Sequence, residues 1–321
     1  MLKRYKICVV GAGPWGLNHI RTLQKIGSLG GVVDSDNSIL DGVKKQFPDC
    51  STFLNLDESF KKEFDAYIVA TPPKSHFLIA KRIIEKKRHL LVEKPITLDL
   101  NEAIELNKLA KKNNVSLMVG HLLLFHPAFI KIKNIVDEGK IGEIQYIYSN
   151  RLNLGSFRND ENVLWSFAPH DISLFNYFFE SLPLSVFSSG VDILQEGVHD
   201  TSVTSFKFDG NRMGHIFVSW LHPFKEHRFV LIGSKGMLHF EDAGKSKKLL
   251  FYKKSVDMNG DTPISKSEGM FEVNFSNELP LELELKYFIS NMEGKIEKAN
   301  GDTAVDVMKV LDLASKSLMG N

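Results

Sequence analysis

Cysteine is nearly absent: the 321 residues hold only Cys8 and Cys50. That excludes a disulfide framework and fits a reducing cytosol. A surplus of charge of one sign is also missing, with 40 basic against 39 acidic side chains. No basic excess therefore points to nucleic acid or to an anionic membrane surface. Bilayer-length apolar runs are lacking as well. The opening "MLKRYKICVVGAG" puts basic residues before an apolar run, as a signal peptide does, but Gly11 and Gly13 interrupt it and a buried first strand explains it better. His121, His126, His222 and His227 show no metalloprotease or zinc-finger spacing, and the two cysteines fall in different elements, so no metal is expected. No fixed-period repeat or low-complexity linker is visible. The totals describe a cytoplasmic globular protein whose length favours two domains.

Strand-like and helix-like segments alternate over residues 1–120, the pattern of βαβ units around a parallel sheet. "YKICVV" is a continuous apolar run, as in a strand covered on both faces. After it, Leu17, Ile20, Leu23 and Ile26 recur on one helix face. "LGGVVD", "AYIVAT", "HLLVEKP" and "NVSLMVGH" read as further strands, and Asp99 with Glu102 resembles a capping box. From 121 to 321 the texture changes to closely spaced strands such as "TSVTSFKFDG" and "GMLHFED", with helical patterns at 127–138, 169–180 and near the C-terminus. The fold class expected is α/β: an N-terminal doubly wound parallel sheet of Rossmann type, then an α+β domain with a large open, mostly antiparallel sheet. The C-terminal helices are expected to pack back on the first domain.

"VVGAGPWG" places Gly11, Gly13 and Gly16 between a predicted strand and a predicted helix. Gly11 would permit the tight turn, Gly13 the approach of a pyrophosphate and Gly16 close helix–strand packing. The helix N-terminus then offers free N–H groups to the phosphates. Pro14 and Trp15 stand inside this turn and are counted with the cofactor-binding residues, although a tryptophan is more often a packing residue. Asp34 closes the second strand 18 residues after Gly16, and no arginine stands beside it in "VVDSDNS". A carboxylate there accepts ribose hydroxyls and repels a 2′-phosphate, which favours NAD over NADP. In "VATPPKSH", Thr71 and Pro72 would line the nicotinamide side of the cleft, and His76 is either a contact there or a helix-capping or surface residue.

"LLVEKPIT" sets Glu93 and Lys94 at the carboxyl end of an apolar strand, where open α/β sheets bind ligands. A solvated loop is the bland reading. The alternative is a lysine beside the nicotinamide position, whose ammonium stabilises the oxygen from which charge develops as a hydride leaves. The Lys94–Pro95 bond is a candidate cis peptide. His170, between Pro169 and Asp171, is either a satisfied structural histidine or a general base, since a pKa near ~6.5 lets it accept a hydroxyl proton at neutral pH. Pro169 before it and the helical pattern after it place it at a helix start, whose positive end would favour the neutral ring.

"GAGPWG", "ATPPKSH", "VEKP", "VGHLLLFHP" and "APHDIS", in this order, resemble the Gfo/Idh/MocA family, which includes glucose–fructose oxidoreductase and inositol dehydrogenase. The resemblance runs essentially the whole length. It implies a Rossmann domain, a substrate domain whose open sheet often mediates oligomerisation, and Lys94 with His170 as the catalytic pair. "NRLNLGSFRNDENVLWSFAPHDIS" and "SWLHPFKEHR" resemble a subgroup that oxidises the C3 hydroxyl of UDP-N-acetylglucosamine-type sugar nucleotides. An aminotransferase then makes a 3-amino sugar for lipid A or surface polysaccharide. A homo-oligomer, dimer or tetramer, is implied too. The family often has aspartate four residues before the histidine, where this chain has Ser166.

A UDP-sugar brings a diphosphate, which an arginine fork matches bidentately. Arg151 and Arg158 are therefore expected substrate contacts, with Asn153, Asn162, Trp165, His170 and Asp171 beside them; Lys225 and Arg228 are further candidates. Two rival readings stand: a dehydrogenase of a free polyol or monosaccharide, and a catalytically silent NAD-binding regulator that senses sugars.

Overall fold

The first apolar run forms strand β1 (Ile7–Val10), all four residues buried, as a strand with elements on both faces requires. The structure, a computed structural model, describes residues 5–155, 157, 161–244 and 247–320. After β1 come α1 (Pro14–Lys25), β2 (Leu29–Val33), α2 (Asn37–Gln46), β3 (Ser51–Phe53), α3 (Leu56–Ser59), β4 (Ala66–Val69), α4 (His76–Glu85), β5 (His89–Val92), α5 (Leu100–Lys112) and β6 (Leu117–Val119). The strands pair in parallel in the order β3-β2-β1-β4-β5-β6. Strand order reverses between β1 and β4, and the crevice outside the carboxyl ends at such a point is where these sheets take ligands. Local chemistry sets the helix starts. Asp36 accepts from the Ser38 N–H at α2, Asp99 accepts from the Asn101 and Glu102 N–H groups at α5, and α1 begins with Pro14 in its first turn, where a missing N–H costs nothing.

The second part of the chain runs through α6 (Pro127–Asp137), β7 (Ile144–Leu154), α7 (Val163–Phe179), β8 (Ser185–Val191), β9 (Thr201–Phe208), β10 (Arg212–Ser219), β11 (Leu221–Gly233), β12 (Met237–Glu241), β13 (Lys248–Asn259) and β14 (Thr262–Glu272). These eight strands form one sheet in the order β14-β13-β12-β11-β7-β10-β9-β8. Every pairing is antiparallel except β10 with β7. Helices α6 and α7 cover one face through phenylalanines: Phe129 packs edge-on against Phe229 and Phe240, and Phe175 against Phe206 and Phe229. Burial along β9 alternates accordingly, the period expected of a sheet with one covered face. Two helices follow, α8 (Pro280–Asn291) and α9 (Gly301–Leu318).

The chain divides into two compact units: one takes Met1–Phe125 and Glu278–Met308, the other His126–Asn277 and Lys309–Asn321. Among the described residues, no helix is long and apolar enough to cross a membrane.

Helix α7 and the β13–β14 hairpin are among the elements that differ from the sequence expectation. Helix α7 begins at Val163, not near 169, because Asn162 caps it by accepting the Trp165 N–H and Pro169 sits inside the helix. The β13–β14 hairpin went unread because every residue of β14 is exposed; with neither face buried, the sequence carries no period-two alternation to detect.

Candidate functional site

The glycine turn has the shape its spacing implies. Gly11 has φ +93°, and a Cβ there would lie 2.9 Å from the Ala70 backbone, so only glycine fits. A Cβ on Gly16 would meet the Gly11 carbonyl oxygen at 2.0 Å, whereas one on Gly13 would meet nothing within 4 Å. Gly13 is the N-cap of α1, so the helix N-terminus opens onto that free space. Asp34 Oδ2 accepts the Ala12 N–H at 2.7 Å and Oδ1 the Asp36 N–H at 3.0 Å. A carboxylate offers about four acceptor positions, which leaves capacity for ribose hydroxyls. The turn, the open helix end and the tethered carboxylate fit a dinucleotide.

At the carboxyl ends of β4 and β5 the chain is cross-tied. Thr71 receives a hydrogen bond from Ser75 Oγ at 2.8 Å. His76 is buried, not on the surface, with Nδ1 2.8 Å from the Pro95 carbonyl oxygen and Nε2 2.8 Å from that of Thr71. Burial lowers its pKa against the pull of these two carbonyls. The Lys94–Pro95 peptide is cis.

Glu93 is buried and takes hydrogen bonds from the Trp15 indole and, at 2.6 Å, from His19 Nε2, both on Oε1. Its Oε2 lies 3.2 Å from the Lys94 backbone N–H. Burial pushes this carboxyl up, but the donors His19 and Trp15 and the neighbouring Lys94 charge bring it below the ordinary value. Gly120 leaves room for it: a Cβ there would sit 2.9 Å from Glu93 Oε2. Sequence reasoning missed His19 and Gly120 as parts of this cluster. The available signal was a histidine three residues past Gly16 on the apolar face of α1.

In the second unit, His170 lies in the interior of α7 rather than at its start, so the favourable end of the helix dipole, which fades within about one turn, does not act on it. This corrects the helix-start expectation. Ser166 is buried one turn earlier, its N–H bonded to the Asn162 carbonyl at 3.1 Å. Arg151 on β7 donates from Nε and Nη2 to both oxygens of Asp171, at 2.9 and 3.1 Å. Its fork is thus engaged by a carboxylate of this chain. Asn162 serves as the α7 cap, and Trp165 Nε1 donates to Ser315 Oγ at 2.7 Å. Asn153 Oδ1 is buried with no partner among the described residues. Arg228 pairs with Glu241 at 3.2 Å and Glu226 at 3.5 Å. Arg158 lies outside the described residues.

Comparison with known proteins agrees with this architecture. Residues 5–121 match the NAD-binding Rossmann fold of the GFO/IDH/MocA oxidoreductase family, and residues 129–239 match the GFO/IDH/MocA C-terminal domain. UDP-N-acetylglucosamine 3-dehydrogenase from Acidithiobacillus ferrooxidans is 29% identical over 184 residues, 57% of each chain. Its solved structure superposes with a TM-score of 0.87 at 21% identity over 99% of each chain. The scyllo-inositol 2-dehydrogenase (NAD(+)) of Bacillus subtilis (strain 168) is 26% identical over 185 residues, 54% of each chain. The WlbA dehydrogenase of Bordetella pertussis, solved with NADH and UDP-GlcNAcA, has a TM-score of 0.78 at 18% identity, covering 99% of this chain and 97% of that one. The structural likenesses establish the fold. Matched in both of its domains and carrying the dinucleotide cradle, the chain belongs to the Gfo/Idh/MocA family and is an NAD-dependent dehydrogenase.

Proposed function

We propose that this dehydrogenase oxidises the C3 hydroxyl of a UDP-N-acetylglucosamine-type sugar nucleotide to the 3-keto sugar. The observation that carries the reading is the 29% identity to UDP-N-acetylglucosamine 3-dehydrogenase, in a chain that keeps both Lys94 and His170. Bound NAD would be held by the glycine turn and Asp34 and would supply the acceptor for the hydride. His170 removes the hydroxyl proton, and the Lys94 ammonium stabilises the negative charge that develops on that oxygen. The glycine turn and Asp34 orient the dinucleotide, and such alignment supplies much of the rate. The 3-keto product suits an aminotransferase, which would place a 3-amino group on the sugar. A homo-oligomer is part of the same proposal.

The relation to an inositol dehydrogenase supports a second reading, oxidation of a free polyol. The two separate in one assay, UDP-N-acetylglucosamine against myo- and scyllo-inositol, with NADH absorbance as readout. NADH formation with the sugar nucleotide and none with the free polyols is expected. The opposite pattern replaces the first reading by the second. The Lys94→Met variant is expected to lose about a hundred- to a thousandfold in turnover, the worth of an oxyanion-stabilising group, while still binding cofactor; retained turnover removes Lys94 from its assigned role.

A further inference from the structure

Glu93 has more around it than a loop residue needs. Strand β4 lies between β1 and β5 in the sheet. Trp15, in the first turn of α1, nevertheless hydrogen-bonds to Glu93, which follows β5. The contact therefore spans the carboxyl end of β4, beside the point where strand order reverses and a dinucleotide crosses the sheet. His19 braces the same oxygen from the next turn of α1, and Gly120, after β6, closes on the other oxygen. Residues of α1 and the backbone after β6 thus close on one carboxylate at the end of β5.

Three other ionisable groups, His19, His121 and Glu284, act on Glu93. His19 Nδ1 is buried with no partner among the described residues, and its Nε2 lies 2.6 Å from Glu93 Oε1. His121, after β6, is buried with both ring nitrogens unpartnered among the described residues. Burial brings it down to about 4, neutral at physiological pH. Glu284 on α8 is fully buried and neither carboxyl oxygen has a partner among the described residues. Burial and the charge of Glu93 push its pKa well up. Glu93 is the carboxylate adjacent in sequence to Lys94, and the donors around it hold its pKa below the ordinary value.

A lysine at the nicotinamide position has an electrostatic cost. The oxidised ring is a cation and the reduced ring is neutral, so an ammonium alone would favour NADH. We infer that Glu93 is the counter-charge that offsets Lys94 and sets the preference of this protein for oxidised over reduced cofactor. It determines redox-state specificity through its field, while Trp15 and His19 hold it in place. The inference concerns the cofactor alone and does not depend on which sugar is oxidised.

The test is calorimetric titration of the purified full chain with NAD+ and with NADH, without sugar. A unit charge about 10 Å from a cation, at an effective dielectric near 20, shifts such a ratio on the order of tenfold. Glu93→Gln, which keeps an acceptor for Trp15 and His19, is expected to raise Kd for NAD+ relative to NADH by about that factor. Glu93→Asp keeps the charge and is expected to weaken both forms in step. Lys94→Met is expected to move the ratio the opposite way, about tenfold toward NAD+, which keeps the inference exposed even if Glu93→Gln does not fold. Glu284→Gln, at a carboxyl whose pKa burial pushes well up, leaves the ratio within about twofold. Kd ratios of NAD+ to NADH that stay level in Glu93→Gln or Lys94→Met, or that rise with Glu284→Gln as they do with Glu93→Gln, overturn it.

Discussion

Gly16 shows how little freedom the cofactor turn has. A methyl group there would stand 2.0 Å from the Gly11 carbonyl oxygen, and the obstruction is backbone, which cannot rotate away as a side chain can. Gly16→Ala should therefore push α1 off β1, costing about 1–3 kcal/mol by analogy with overpacked cores. It should also weaken NAD binding, because the N-terminus of α1 moves with the turn. Urea unfolding and a cofactor titration read the two effects, and a variant of unchanged stability and affinity would contradict the packing argument. Gly13, with open space at its Cβ position, differs: its value lies in what approaches it.

At the scale of elements, α7 is held by one buried ion pair and by its phenylalanines. Pro169 inside the helix leaves the Trp165 carbonyl without its helical donor, a loss of about 3 kcal/mol in an isolated helix. Burial of Phe175, Phe178 and Phe179 offsets it, since a buried side chain of this size contributes roughly 1.5–3 kcal/mol. The Arg151–Asp171 pair joins α7 to β7 with side chains only 15% and 2% exposed. Removing the arginine alone strands a buried carboxylate, so Arg151→Met should cost about 3–5 kcal/mol. Adding Asp171→Leu should recover much of that stability, as replacing a whole buried pair by apolar groups often does. Denaturant midpoints of the two variants test this, and a double variant no more stable than the single one removes the pair from its anchoring role. Because Asp171 neighbours His170, the same pair bears on the orientation of the proposed base.

Acid sensitivity belongs to the whole molecule, since each unit buries a neutral histidine. His121 in one and His126 in the other are held at about 4, burial being the chief cause in both. In the unfolded chain the same rings titrate near ~6.5. Their folded pKa is depressed, so their contribution is fully present above about pH 6.5 and is lost as pH falls toward about 4. Urea midpoints should decline over that window, and His121→Gln should decline less steeply; a flat profile from pH 7 to 4.5 would sink the prediction. The alternation of strands and helices and the open sheet were readable from periodicity. The start of α7 was not, because Pro169 imitates a helix start while Asn162 supplies the true cap. The β13–β14 hairpin was not either, since exposure on both faces erases the pattern.

Short-range chemistry accounts for what the chain declares on its own. Gly11, Gly13 and Gly16 act within one turn, Asp34 closes the adjoining strand, and Lys94 precedes its proline, so spacing alone exposes them. The partners of Glu93 and Arg151 had no such signal. His19 and Glu93 are 74 residues apart, and Arg151 and Asp171 belong to a strand and a helix 20 residues apart. Which buried charge meets which donor depends on how sheets and helices stack, and a buried polar group must find its partner wherever the fold brings one. Ser166 belongs with these: its sequence position marked a missing aspartate, and packing made it a buried residue of the first turn of α7, one turn before His170.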